Sequence, residues 1–142
     1  MEHRDMIQAV GVWFYARDTQ RNLYLMRRDA RHPHCWALPG GKIDDGENLL
    51  EAIQRECREE LGMIPQFQQL APIEKFTTAS QEFCYHTFFC SLSQEFQPRL
   101  NHEHLGYAWI AAGVWPRPMH PGLWNMVNLD EIAHKVQLLQ NH

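Results

Sequence analysis

The spacing of apolar positions changes along the chain from two to nearly four, and the change marks out the elements. In Ile7–Ala16, Val10, Val12 and Phe14 alternate with Gly11, Trp13 and Tyr15, so both faces of an extended segment are apolar. That pattern predicts a strand covered on both sides. Residues 18–22 are turn formers, and 23–28 predict a second strand returning as a hairpin, followed by a polar loop over 29–34. Two further strands are predicted over 67–77 and 82–91, and a short one over 107–111. Residues 48–61 carry Leu50, Ile53, Cys57 and Leu61 at helical spacing. Asn48 with Glu51 forms a capping pair at the start, and Gly62 suits a left-handed end. A second helix is predicted over Asp130–Gln140, with Ile132, Val136 and Leu139 on one face and Asp130 and Glu131 favouring its N-terminus. Residues 114–121 hold three prolines and predict an ordered loop. Strands outside, one helix in the middle and one at the end describe an α/β layered fold, in a single domain over 1–142.

Composition narrows the function classes. The chain has 142 residues, 44% of them hydrophobic, and a net charge of −4. With no dense Lys/Arg run, a general nucleic-acid-binding face is not expected. No N-terminal apolar h-region and no long apolar run is present, which predicts a soluble cytoplasmic protein with no membrane partner. The four cysteines, Cys35, Cys57, Cys84 and Cys90, lack CxxC or zinc-like spacing and are expected to be reduced thiols.

The chemistry concentrates in residues 41–63. Glu56, Glu59 and Glu60 stand at i, i+3 and i+4, neighbours on a helix. They centre roughly 100° from the apolar stripe, so one side of the helix packs while the adjacent side offers carboxylates. Three like charges held together repel unless a cation offsets them. Hard oxygen donors suit Mg²⁺ or Mn²⁺, ions that also bind phosphate oxygens and lower the pKa of a bound water. A spare carboxylate takes that water's proton. The residues alone therefore point to hydrolysis of a phosphoanhydride.

The spacing also resembles a known signature. Gly41, five residues, Glu47, seven residues, Arg55-Glu56, an apolar residue, any residue, Glu59-Glu60, any residue, Gly62 and apolar Met63 is similar to the Nudix box, and Leu38-Pro39-Gly40 before it is also family-like. The one departure is Cys57, where the family usually has a larger aliphatic residue; Cys acts as a small hydrophobe. The resemblance implies the Nudix fold, a mixed β-sheet sandwiched between helices (α/β/α). It implies Glu56, Glu59 and Glu60 as metal ligands, joined by the carbonyl of Gly40. Glu47 and Arg55 would brace the loop–helix–loop, with Glu47 near a second metal, and Gly41 and Gly46 would allow the tight loop. Glu103, ahead of an aromatic strand, resembles the family's later base or ligand, and a box glutamate such as Glu56 or Glu59 is the other choice. Glu82 and Glu95 are weaker alternatives.

Substrate-side candidates follow. Arg27 and Arg28 end the second strand on opposite faces, so one of them is expected to meet phosphate, and the resemblance implies Arg28, the second of the pair. Trp36 suits either core packing or stacking on a base. His104, flanking Glu103 with His102, is expected to contact substrate phosphate; no HExxH or matched Cys supports zinc. Arg117 and His120 lie in an aromatic, proline-rich segment that suits the wall of a nucleoside pocket, a packed loop or a dimer contact. The function expected first is a metal-dependent pyrophosphohydrolase of a nucleoside diphosphate linked to another moiety, such as a nucleotide sugar, ADP-ribose or a dinucleotide. The alternatives are a MutT-like nucleoside triphosphate pyrophosphatase and a nucleotide-sensing module without turnover. All box carboxylates are retained, which argues for catalysis. Its partner is then a nucleotide-type small molecule, and a homodimer is the assembly the resemblance implies.

Overall fold

A computed structural model describes residues 6–28 and 31–142. The chain runs β1 (Ile7–Ala16), β2 (Arg21–Arg27), β3 (Trp36–Ala37), β4 (Gly40–Lys42), α1 (Leu49–Leu61), β5 (Gln69–Thr77), β6 (Phe83–Leu92), β7 (His104–Ala111), α2 (Pro121–Val127) and α3 (Asp130–Gln140). All seven strands join one mixed sheet. β1 and β6 run parallel through ten residue pairs, from Ile7↔Phe83 to Ala16↔Leu92, while the other ladders are antiparallel.

β1 sits at the centre, and its double-sided apolar pattern is used on both faces. Val10, Val12 and Phe14 pack with Leu23, Leu25, Ala52, Ile53, Cys57 and Leu61 beneath α1. Trp13 and Tyr15 pack with Tyr24, Phe89, Leu123, Met126, Ile132 and Val136 beneath α2 and α3. The sheet is thus enclosed by helices on both faces, as the alternation requires.

The hairpin of β1 and β2 opens soon after its turn, and this opening builds the site. Only Tyr15↔Asn22 and Ala16↔Arg21 pair across it. The segment 36–42 fills the gap. Its first half pairs with β2 through Leu25↔Ala37 and Met26↔Trp36, and its second half with β1 through Ala9↔Lys42, Val10↔Gly41 and Gly11↔Gly40. Val12 N–H donates to the Pro39 carbonyl between them at 2.9 Å. Gly40 has φ +149, and a Cβ there would run into the Val10 carbonyl oxygen, so the close backbone approach admits only glycine.

Several sequence expectations shift by a residue or two. The second strand spans Arg21–Arg27, leaving Arg28 outside it, and the polar loop over 29–34 includes Asp29 and Ala30, which lie outside the described residues. β7 begins at His104 rather than 107, because its pairing with β2 extends to Arg27↔His104 past a register shift at Met26/Arg27. The proline-rich loop leads into α2, which starts at Pro121 with His120 accepting from Gly122 N–H at 3.1 Å. Leu50, expected in the packed stripe, is 47% exposed in the first turn of α1. Among the described residues no helix is long and apolar enough to cross a membrane.

The start of α1 is a reciprocal capping box. Asn48 Oδ1 accepts from Glu51 N–H at 2.8 Å, and Glu51 Oε1 accepts from Asn48 N–H at 3.0 Å. Removing it with Asn48→Ala is expected to cost about 1 kcal/mol of unfolding free energy in urea titration. A change below about 0.3 kcal/mol would show that tertiary packing alone sets the helix start.

Candidate active site

The buried arc of α1 comprises Ala52, Ile53, Glu56, Cys57, Glu60 and Leu61. Two glutamates therefore lie inside the packed face, not beside it as the sequence suggested. They fit because α1 meets β4 as well as the apolar strands there. Gly40 and Gly41 of β4 offer backbone groups and no side-chain bulk: Gly40 N–H donates to Glu60 Oε2 at 2.9 Å. A Cβ on Gly41 would lie 2.5 Å from Glu56 Oε1. The two glycines thus make room for two buried carboxylates, and Gly40 hydrogen-bonds one of them, Glu60.

Burial sets their electrostatics. It pushes Glu60 up to about 8, the Gly40 N–H and Arg27 opposing the rise and Glu56 adding to it. Burial also raises Glu56, with Arg55 opposing. Removing water disfavours the charged form, and two adjacent carboxylates disfavour each other's charge. Glu59 differs: its side chain is 54% exposed and pairs with Arg55 at 3.1 Å. The three glutamates expected as one ligand set are therefore divided, two inward and one outward.

Arg55 ties the loop to the helix. Its Nε and terminal NH2 nitrogen donate to the two oxygens of Glu47 at 2.7 and 3.0 Å, a bidentate fork. The remaining donors reach Glu56 at 3.0 Å, Glu59 at 3.1 Å and the Lys42 carbonyl at 2.8 Å. Glu47 also accepts from Asp44 N–H at 2.8 Å. Its carboxyl is held below the usual range, chiefly by the Arg55 hydrogen bond and then by that of Asp44. The Glu47–Arg55 brace implied by the sequence resemblance is thus present as direct contacts.

On the sheet side, Arg27 rather than Arg28 reaches this centre. Its guanidinium donates to the carbonyls of Gly40 at 3.2 Å and Leu38 at 3.3 Å. Arg28 is exposed, and its backbone N–H donates to the Glu103 carbonyl at 2.9 Å. Glu103 is exposed in the turn before β7, its N–H bonded to Asn101 Oδ1 at 3.0 Å. His104 turns inward instead of toward open solvent, with a side chain 1% exposed and Nε2 3.9 Å from Glu60 Oε2. Burial, then the charge of Arg27, lowers its pKa to about 4. Tyr85 lies across the sheet: its hydroxyl occupies the space a Cβ on Gly11 would fill. Burial pushes that hydroxyl up to about 12, and the charges of Arg27, Glu60 and Glu56 all reach it. Sequence reading paired Arg27 with Arg28 but favoured Arg28, and it gave no signal for Tyr85; both placements depend on how segment 36–42 fills the opened hairpin.

Trp36 is tied by its backbone to the segment that follows Arg117. Trp36 N–H donates to the Pro118 carbonyl and its carbonyl accepts from His120 N–H, both at 2.8 Å. Trp36 is half-buried against the core under α2 and α3, whereas Arg117 is exposed. A cavity of about 310 Å³ between α3 and the loop after β7 is lined by Trp13, Trp115 and Gln137 and by no box residue. It is not the centre of the chemistry.

Among the described residues no three acid, His or Cys side chains already converge as a metal cage. The donors nonetheless suit a divalent cation. Burial drives two adjacent carboxylates toward protonation, and His104 Nε2 is buried without a hydrogen-bond partner. Glu56, Glu60 and the neighbouring Gly40 carbonyl are hard oxygen donors of the kind Mg²⁺ and Mn²⁺ take.

Comparison with known proteins finds relatives in both sequence and structure. The family model described as NUDIX domain matches residues 6–129. The chain is 30% identical over 118 residues to the dihydroneopterin triphosphate diphosphatase of Escherichia coli K12, covering 73% of this chain and 77% of that protein. The solved E. coli dihydroneopterin triphosphate pyrophosphohydrolase superposes with TM-score 0.53 at 27% identity, covering 72% and 79% of the two chains. A MutT NUDIX hydrolase from Burkholderia pseudomallei superposes with TM-score 0.64 at 23% identity over 84% and 93%, which shows the fold.

Proposed function

Given that the chain belongs to the Nudix family and is a hydrolase of phosphoanhydrides, we propose that it hydrolyses the triphosphate of a heterocyclic, nucleoside-like substrate and releases diphosphate. The observation that carries this reading is the buried Glu56–Glu60 pair held against Gly40 and braced by Arg55 and Glu47. The likeness to a triphosphate diphosphatase over 73% of the chain supports the triphosphate over the diphosphate-linked substrates that the sequence suggested first.

The Nudix family generally uses divalent metal ions. Here Glu56, Glu60 and the Gly40 carbonyl would hold Mg²⁺ or Mn²⁺, which supplies charge neutralisation on the phosphates and a more acidic water. The chain's own residues do the rest. Arg55 and Glu47 fix the loop 41–48 against α1, so the donors keep their positions. Arg27 holds the Gly40 and Leu38 carbonyls in place. An exposed carboxylate accepts the proton from the attacking water, and Glu59 and Glu103 are the candidates. Arg28 and Arg117, both exposed, supply positive charge to the phosphate chain, while Trp36 bounds the heterocycle side.

The test is a ranking of kcat/KM with Mg²⁺ across dihydroneopterin triphosphate, the common (d)NTPs, ADP-ribose and nucleotide sugars, repeated with Glu59→Gln and Glu103→Gln. A triphosphate should rank first. The variant lacking the proton acceptor should lose about two to four orders of magnitude in kcat. Preference for ADP-ribose or a nucleotide sugar would overturn the substrate class, and near-normal kcat in both variants would move the proton acceptor elsewhere.

A further inference from the structure

His104 is a buried polar group that the proposed chemistry leaves unused and that faces the site. It opens β7 opposite Arg27, and its side chain is 1% exposed. Asn101 Oδ1 accepts the Glu103 N–H at 3.0 Å, which identifies that atom as the oxygen. The same oxygen lies 3.2 Å from His104 Nδ1, so Nδ1 carries the ring hydrogen. Nε2 is then a bare lone pair. It has no hydrogen-bond partner, and it faces Glu60 Oε2 at 3.9 Å. A lone pair this close to an ionised carboxylate oxygen is repelled by it, and a cation held between the two turns that repulsion into attraction.

The spacing suits a shared ion. Imidazole nitrogen and carboxylate oxygen each bind a first-row metal at about 2.0–2.2 Å, so two donors on one ion lie at most roughly 4.3 Å apart. Asn101 plays the part of the outer partner that fixes a ligating histidine's tautomer and ring plane. We propose that His104 Nε2 is a further ligand of the metal held by Glu60, making a mixed nitrogen–oxygen centre that takes Mn²⁺, Co²⁺ or Zn²⁺ in preference to Mg²⁺. Imidazole suits those ions, whereas Mg²⁺ favours oxygen alone. The inference rests on the reading that Glu60 holds the metal.

The experiment is pulsed electron paramagnetic resonance of the full chain loaded with Mn²⁺ alone, alongside Mn²⁺ and Mg²⁺ binding titrations. The wild type should show electron-spin-echo modulation from a directly bound nitrogen. His104→Gln should lose it and bind Mn²⁺ at least about tenfold more weakly, with Mg²⁺ affinity changed less than about threefold. His102→Gln should keep the modulation. Tight Mn²⁺ binding without nitrogen modulation in the wild type overturns the ligand assignment while leaving Glu60 as a metal holder, and that spectrum needs no variant to fold. Persistence of the modulation in His104→Gln overturns it as well. Mn²⁺ binding undiminished in Glu60→Gln instead overturns the underlying reading.

Discussion

Glu60→Gln is expected to abolish turnover and to stabilise the metal-free protein. The carboxylate is 3% exposed, accepts from Gly40 N–H and sits beside Glu56. Losing a metal-holding oxygen removes several kcal/mol of transition-state stabilisation, or about three orders of magnitude in kcat. In the chelated protein the same change removes a buried acid that must take up a proton on folding, and about 1–3 kcal/mol of stability at neutral pH should be gained. The pH dependence gives a second reading. Glu60 titrates at about 8 when folded against a reference of 4.5, so the folded chain retains a proton that the unfolded chain has released. Stability in chelator should therefore fall as pH rises from about 4.5 toward 8, and Glu60→Gln should flatten that slope. A melting midpoint in chelator that drops on substitution would show that the carboxylate is structurally required.

Arg55→Ala should reduce activity by about a hundredfold or more through misplacement of the donors, as shifts of about 1 Å are known to do. One guanidinium holds Glu47, Glu56 and Glu59 and the Lys42 carbonyl. Its removal leaves those carboxylates facing one another, so the melting midpoint should fall too. Arg55→Lys should not rescue activity, because an ammonium cannot reproduce the bidentate fork on Glu47 while reaching the helix. Recovery of most of the wild-type kcat in the lysine variant would mean that charge alone, not the fork, sustains the site.

The sequence made the main layers legible because they follow from local pattern. The doubly apolar alternation in β1, the Asn48–Glu51 box and Gly62, whose φ of 75 is left-handed, are each encoded within a few residues. β3 and β4 were not legible. At two and three residues they are too short to show a period, and they exist because the opening hairpin presents unpaired backbone edges. The site was legible as an inventory and less so as an arrangement. Spacing put Glu56, Glu59 and Glu60 on one helix side. Only the glycine-lined surface of β4 explains why two of them turn inward. Likewise, the choice between Arg27 and Arg28 hangs on where β2 ends, and the burial of His104 on its register opposite Arg27.

Phosphorus NMR of a triphosphate turned over by the wild type with Mg²⁺, in heavy-oxygen water, most directly tests the proposed reaction. Diphosphate and a monophosphate should appear in equal amounts, with the label entering one of them, and chelator or Glu60→Gln should stop both. Release of orthophosphate, or cleavage of ADP-ribose into two monophosphates while triphosphates stay intact, would contradict it.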